Sequence, residues 1–279
     1  MQIQVPATML DPVSRDFYQS AIRYLQQGGV PFLVGGAYSY ARHTSLERHT
    51  KDFDIFVRPK HYDPALDTLA AAGYCVERTF PHWLGKAYSG DNCIDVIFGS
   101  GNGVARVDDG WFEHAINGRV VDTPVLLCPV EETIWSKAFV MERERFDGGD
   151  IAHLIRGAAG DINWQRLLTR FGPYWRVLLS HLVMFGFIYP GEREAVPAWV
   201  LEELTHRLRD ETANQPPKEP ICQGTLVSRA QYLVDIEHWG YTDARIVHGH
   251  MTQHEIDVWT DAIATEQPTP ATRPMFRID

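Results

Sequence analysis

From Pro12 to Gln27 the apolar residues Phe17, Ile22, Tyr24 and Leu25 recur at roughly helical spacing, and Gly28-Gly29 ends the pattern, which predicts a helix. Val30 to Val34 is a short apolar run that predicts a strand. Gly35-Gly36 breaks it, and Ala37 to Arg42 opens a second helix. A polar stretch, His43 to Lys51, leads into a strand over Phe53 to Val57, ended by Arg58-Pro59. The pattern then gives a helix over Tyr62 to Ala72, closed by Gly73, as glycine closes many helices. Further strands are expected at Tyr74 to Arg78, Trp83 to Tyr88, Cys93 to Phe98 and Gly118 to Val121. Helices and short strands in this order make an α/β or α+β domain of about 120–130 residues.

The character changes near Pro129. Long helical patterns follow at Val130 to Arg145, Asp150 to Ala158, Trp164 to Phe171, Trp175 to Phe187 and Trp199 to Asp210. Asn214 to Pro220 (NQPPKEP) is a solvated loop, and Cys222 to Tyr232 is either a packing segment or a lid over a pocket. The expected division is a mixed core domain over 1–126, a helical domain over 127–266 and an extended tail over 267–279. The tryptophans fall mostly at apolar positions of helical patterns and are expected in the core. The most apolar run, Val177 to Ile188, spans 12 residues, too short to cross a bilayer and suited to a buried helix.

Charge narrows the partners. The chain has 279 residues with 26 basic against 36 acidic side chains, a net charge of −10. Proteins that grip long phosphate backbones carry surplus Lys and Arg, so extended nucleic-acid binding is disfavoured. Cys75, Cys93, Cys128 and Cys222 are scattered and include no C-x-x-C pair, which fits reduced core thiols better than disulfides or a zinc site. The first residues, MQIQVPATMLDPVSRDF, lack the basic start and apolar run of a signal peptide. The expectation is a cytoplasmic protein with no membrane partner.

Three short segments carry candidate chemistry. Val34-Gly35-Gly36-Ala37-Tyr38-Ser39 sets a glycine pair between a strand and a helix; glycine lets backbone approach a ligand, and a helix N-terminus offers free N–H groups to an anion. The same pair also suits an ordinary turn. In Lys51-Asp52-Phe53-Asp54-Ile55-Phe56-Val57, Asp52 and Asp54 project from one strand face while Phe53 and Ile55 enter the core. Two such carboxylates repel unless a cation sits between them, and Mg²⁺ favours that donor set together with substrate phosphates. The alternative is a solvated strand edge. Asn92-Cys93-Ile94-Asp95-Val96-Ile97-Phe98 embeds a single Asp in an apolar run; that charge needs a partner, a metal or water.

Together the segments resemble the signature of the DNA polymerase β-type nucleotidyltransferase superfamily. That signature is a hydrophobic residue, Gly-Gly or Gly-Ser, a spacer, then Asp-hydrophobic-Asp-hydrophobic. Here it reads Val34-Gly35-Gly36 and Asp52-Phe53-Asp54-Ile55, with the spacer Ala37 to Lys51 holding 15 residues, slightly more than usual. The likeness covers about residues 20–100. A second segment, Glu131 to Lys137 followed by Arg145-Phe146-Asp147-Gly148-Gly149-Asp150-Ile151, resembles a helix-Lys then D-x-x-D pattern. Small bacterial members carry it: aminoglycoside and lincosamide nucleotidyltransferases and type IV toxin-antitoxin toxins.

The resemblance implies a polymerase β-like mixed sheet flanked by helices, followed by an all-helical domain. It implies an enzyme moving a nucleoside monophosphate from an NTP to an acceptor hydroxyl and releasing pyrophosphate. Asp52, Asp54 and Asp95 would hold Mg²⁺ (or Mn²⁺) in a two-metal arrangement, Asp95 also taking the acceptor's proton. Gly35, Gly36 and Ser39 would hold the phosphates, with Lys51 or Lys137 adding positive charge; a solvated helix lysine is the other reading of Lys137. Asp147 and Asp150 are expected to cap the next helix. The acceptor is left open between a small molecule, a tRNA end and a protein side chain. The competing class is a catalytically degenerate module of the same fold that binds a partner. His248, His250 and His254 are read as surface histidines before a helix rather than a metal site.

Overall fold

The computed structural model describes residues 12–46 and 52–266. It opens with α1 (Pro12–Gln27), β1 (Leu33–Val34), α2 (Gly36–Thr44) and β2 (Asp52–Phe56). α3 (Tyr62–Ala71) follows, then β3 (Cys75–Phe80), β4 (Leu84–Ser89) and β5 (Asn92–Ile97). A short α4 (Asp109–Glu113) and the hairpin β6 (Ile116–Val120) and β7 (Thr123–Leu127) complete a seven-stranded sheet among the described residues. The strand order is β3-β4-β5-β2-β1-β7-β6. β1 with β7 and β2 with β5 run parallel, and the other neighbours are antiparallel. The architecture is the expected mixed sheet flanked and followed by helices.

Alternation along the strands sorts the two faces. Phe53, Ile55, Ile94 and Val96 are buried against Tyr18, Ile22 and Leu25 of α1 and Leu66 and Leu69 of α3. The opposite face shows three rows running across β2, β5, β4 and β3. One row is Asp52, Cys93, Tyr88 and Cys75; the next is Asp54, Asp95, Lys86 and Glu77. The third is Phe56, Ile97, Leu84 and Phe80, brought into line by a register shift between Glu77 and Phe80. Apolar side chains cover this third row.

Helices α5 (Val130–Ala138), α6 (Gly148–Gly157), α7 (Trp164–Phe171), α8 (Trp175–Ile188) and α9 (Ala198–Ala213) follow. Beyond them come β8 (Ile221–Cys222), α10 (Leu233–Glu237), β9 (Thr242–Asp243), α11 (Ala244–Val247) and α12 (Gln253–Glu266). Val258 and Trp259 of α12 pack on Phe80, Leu84 and Ile97, and so roof the apolar row beside the carboxylates. Leu33, Tyr40 and Trp111 belong to one apolar cluster with Ile134, Leu154, Leu167 and Leu178. The two parts therefore share a core, and the sheet runs to Leu127, one residue past the expected boundary at 126.

Several local expectations are corrected. The helix expected over Val130 to Arg145 stops at Ala138; Met141 then pairs with Phe146 in a bridge, and the Met141 N–H donates to the Val227 carbonyl. Strand β7 escapes the pattern because its hairpin turn, Val121-Asp122, contains no glycine although both residues have positive φ. Tertiary contacts hold that turn: Gln19 donates to the Val121 carbonyl at 2.6 Å and Arg15 to Asp122 at 2.6 Å. The apolar run in α8 is buried on one side, while Val183 is 60% and Phe187 78% exposed on the other. Trp199 and Trp239 are exposed rather than core, as is Cys75. The segment from Cys222 to Tyr232 packs: the Leu226 carbonyl accepts from Asn102 and the Ser228 hydroxyl donates to Glu142. The tail over 267–279 lies outside the described residues.

Candidate active site

The carboxylates are brought to one face of the sheet because β2 and β5 are adjacent and parallel. Asp54 lies in register with Asp95, and Asp52 with Cys93, so Asp52, Asp54 and Asp95 share one sheet face. Asp52 is exposed at the start of β2, whereas Asp54 and Asp95 are partly buried. Burial first, then the charges of Asp95 and Asp52, push the Asp54 carboxyl up to about 6, against the pull of Lys137 and Lys86.

The glycine pair is explained by what stands next to it. Gly36 has φ +51, and a Cβ there would lie 1.7 Å from Asp54 Oδ2. A Cβ on Gly35 would lie 2.2 Å from the Phe56 ring, and the Gly35 N–H donates to the Asp54 carbonyl at 3.0 Å. Glycine at both positions sets the N-terminus of α2 directly on the Asp54 carboxylate. The first N–H groups of a helix have no carbonyl within it, and here they begin beside the acidic row.

The Lys then D-x-x-D pattern folds back on itself. Lys137 Nζ donates to Asp147 at 3.2 Å and Asp150 at 2.9 Å, and Arg145 makes two bonds to Asp147 at 2.9 and 2.8 Å. Burial opposes ionisation of Asp147, but the Arg145 and Lys137 cations outweigh it and hold the carboxyl below its usual value. Both cations lie close enough to act on Asp54 electrostatically. Asp147 makes no side-chain cap bond to α6, so the expected capping role gives way to holding Lys137. The early end of α5 makes this possible, because the chain turns back toward Lys137 within ten residues.

Of the residues expected at the phosphates, Ser39 is placed in the core. Ser39 is fully buried; its hydroxyl donates to the Cys128 carbonyl at 2.9 Å and lies 3.2 Å from the Thr133 hydroxyl. These two partners engage the hydroxyl within the core. Lys51 lies outside the described residues.

Lys86 was not anticipated. Its ammonium donates to Asp95 Oδ1 at 2.7 Å, and Cys93 Sγ lies 3.5 Å from the same oxygen. Burial works against the ammonium, yet the Asp95 hydrogen bond and charge win, and its pKa is raised. A signal was present: Gly90-Asp91 is a two-residue turn between Ser89 and Asn92, and counting outward from it places Lys86 opposite Asp95. Among the described residues no three His, Cys, Asp or Glu side chains already converge as ligands of one ion. His250 lies 2.5 Å from the Tyr174 hydroxyl.

Behind the site, α5 is anchored by a buried charge network. Glu132 accepts from Arg170 at 2.8 Å and from Arg166, and Glu131 accepts from Arg166 at 2.7 Å. Arg170 also grips Asp108, next to α4, at 2.5 and 2.9 Å.

No family model and no curated protein sequence matches the chain. Among solved structures, it is similar to the antibiotic-resistance factor ANT(2'')-Ia, with 15% identity and a TM-score of 0.44 over 62% of this chain and 98% of that one. It is also similar to the lincosamide antibiotic adenylyltransferase LnuA, with 15% identity and a TM-score of 0.36 over 50% of this chain and 94% of that one. JHP933 from Helicobacter pylori shares 11% identity with a TM-score of 0.36, over 73% of this chain and 98% of that one. All three likenesses are loose, and the functional reading rests on the side chains of this chain.

Proposed function

We propose that the protein is a nucleotidyltransferase that moves a nucleoside monophosphate from an NTP to an acceptor hydroxyl. The observation that carries this is the shared sheet face of Asp52, Asp54 and Asp95 beside the glycine-paved start of α2. Asp52, Asp54 and, once an ion is present, Asp95 would hold Mg²⁺ or Mn²⁺; the raised Asp54 carboxyl marks a charge cluster that a cation relieves. When bound, the cation neutralises phosphate charge and aligns the triphosphate for in-line displacement.

The remaining work falls to the chain itself. Gly35 and Gly36 clear the approach to the α2 N-terminus, whose N–H groups receive a phosphate oxygen. Lys137, fixed by Asp147 and Asp150, adds positive charge near the phosphate tail. Asp95 accepts the proton of the acceptor hydroxyl as its oxygen bonds to the α-phosphorus. The bond from that phosphorus to the bridging oxygen breaks, and pyrophosphate carries the electron pair away. Positioning and charge neutralisation suffice for such a transfer, with no covalent intermediate.

The test is incubation with labelled NTPs, Mg²⁺ and a cell extract, followed by separation of small molecules, RNA and protein. Label in one fraction identifies the acceptor class, and Asp52→Ala and Asp54→Ala each abolish it while the fold persists. Near-wild-type transfer by either variant overturns the assignment. No label and no nucleotide-induced thermal shift in the wild type would favour the partner-binding module.

A further inference from the structure

The ion pair between Lys86 and Asp95 has no part in the reading above. It is built by two neighbouring strands: the Gly90-Asp91 turn sets the β4–β5 register, and that register puts Lys86 opposite Asp95. The side chains of Lys86 and Asp95 are 24% and 16% exposed, so water screens the pair only partly. In the same transverse row Asp54 flanks Asp95 on the other side, and Glu77 lies beyond Lys86.

An ammonium bonded to Asp95 Oδ1 at 2.7 Å and a divalent cation at Asp54 call on the same carboxylate. The carboxylate can turn along its row toward β4 or toward β2. In the site as described it turns toward β4, and no three acidic, His or Cys side chains converge there on one point among the described residues.

We propose that Lys86 is the resident counter-ion of the acidic row and the positioning residue for Asp95, holding that carboxylate toward β4 until an NTP brings its cation in. The inference rests on the nucleotidyl-transfer reading. Its consequence is ordered loading. The cation alone meets Asp52 and Asp54 and must displace an ammonium to gain Asp95, so it binds weakly. Triphosphate oxygens supply the missing ligands, and cation and nucleotide then enter together. Once Asp95 has turned, the ammonium is released from it.

Mn²⁺ binding, followed by electron paramagnetic resonance with and without ATP, tests this independently of any acceptor. Lys86→Met and Lys86→Gln each remove the competing cation and are expected to tighten binding of Mn²⁺ alone about tenfold. Lys86→Arg keeps the charge and stays near the wild type. Adding Asp95→Asn to Lys86→Met is expected to abolish the gain. With saturating ATP the wild type and Lys86→Met should differ by less than about twofold, because the phosphates supply ligands to both. A Lys86→Met or Lys86→Gln protein that binds Mn²⁺ alone as the wild type does overturns the proposal. If those variants show no gain but all bind Mn²⁺–ATP, the transfer reading stands and Lys86 has no such role. If no form binds Mn²⁺ with or without ATP, the transfer reading fails and the proposal falls with it.

Discussion

Asp54 stands at a position where the fold is made less stable by the charge that the proposed transfer requires. Its carboxyl is raised from 3.8 to about 6, chiefly by burial and then by Asp95 and Asp52. The folded state therefore holds the proton more tightly than the unfolded chain. That contribution to stability is complete below pH 3.8 and is lost as pH rises through about 6. Asp54→Asn is expected to raise unfolding stability at pH 8 by on the order of 1–3 kcal/mol, with the gain vanishing below about pH 4; urea melts at the two pH values check it. The same titration predicts that Mg²⁺–ATP affinity falls as pH drops through about 6, since a protonated carboxyl no longer attracts a cation. Affinity unchanged between pH 7.5 and 5 would contradict it. Gly36→Ala meets both a left-handed φ and the Asp54 carboxylate. It should lower stability by roughly 2–4 kcal/mol and abolish nucleotide binding, read by melts and by nucleotide-induced thermal shift.

At the scale of elements, the site depends on how α5 ends and on what holds its start. The chain leaves the helix after Ala138 and turns through the Met141–Phe146 bridge, so Asp147 and Asp150 return to Lys137. A helix continuing to Arg145 would carry them away. The sequence pattern favoured that longer helix because Met141 to Arg145 has good helix formers, and the Val227 carbonyl that captures the Met141 N–H lies far along the chain. At the other end, Glu132 is fully buried between Arg166 and Arg170. Glu132→Ala leaves two guanidinium groups without their buried partner and should cost about 3–5 kcal/mol in a denaturant melt. By contrast, Phe187→Lys on the exposed side of α8 should change stability by no more than about 0.5 kcal/mol.

At the scale of the whole molecule, the sheet and the helices are not independent units. Leu33 and Tyr40 from the first part and Trp111 from α4 are buried in the same cluster as the cores of α5, α7 and α8. A fragment ending at Cys128 would expose them all, so it is expected to bind a hydrophobic dye and to lack the dispersed amide spectrum of a folded domain. The full chain should unfold in a single transition by fluorescence and circular dichroism. Two separate transitions would show that the shared core does not couple the parts. Among the described residues no helix is long and apolar enough to cross a membrane.

Local pattern determined most of the elements and the carboxylate pair. Period-two alternation put Asp52 and Asp54 on one face, and the apolar positions of α1 and α7 marked those helices to the residue. These features depend on neighbours a few residues away, which sequence records directly. Tertiary structure decided the rest. Strand order made Asp95 the neighbour of Asp54; the turn at Val121-Asp122 formed without its usual glycine; and Ser39, spaced well for a phosphate, turned into the core. Each of these outcomes was set by a partner distant in the chain, and spacing along a sequence carries no record of which distant group will take a hydrogen bond or share a charge.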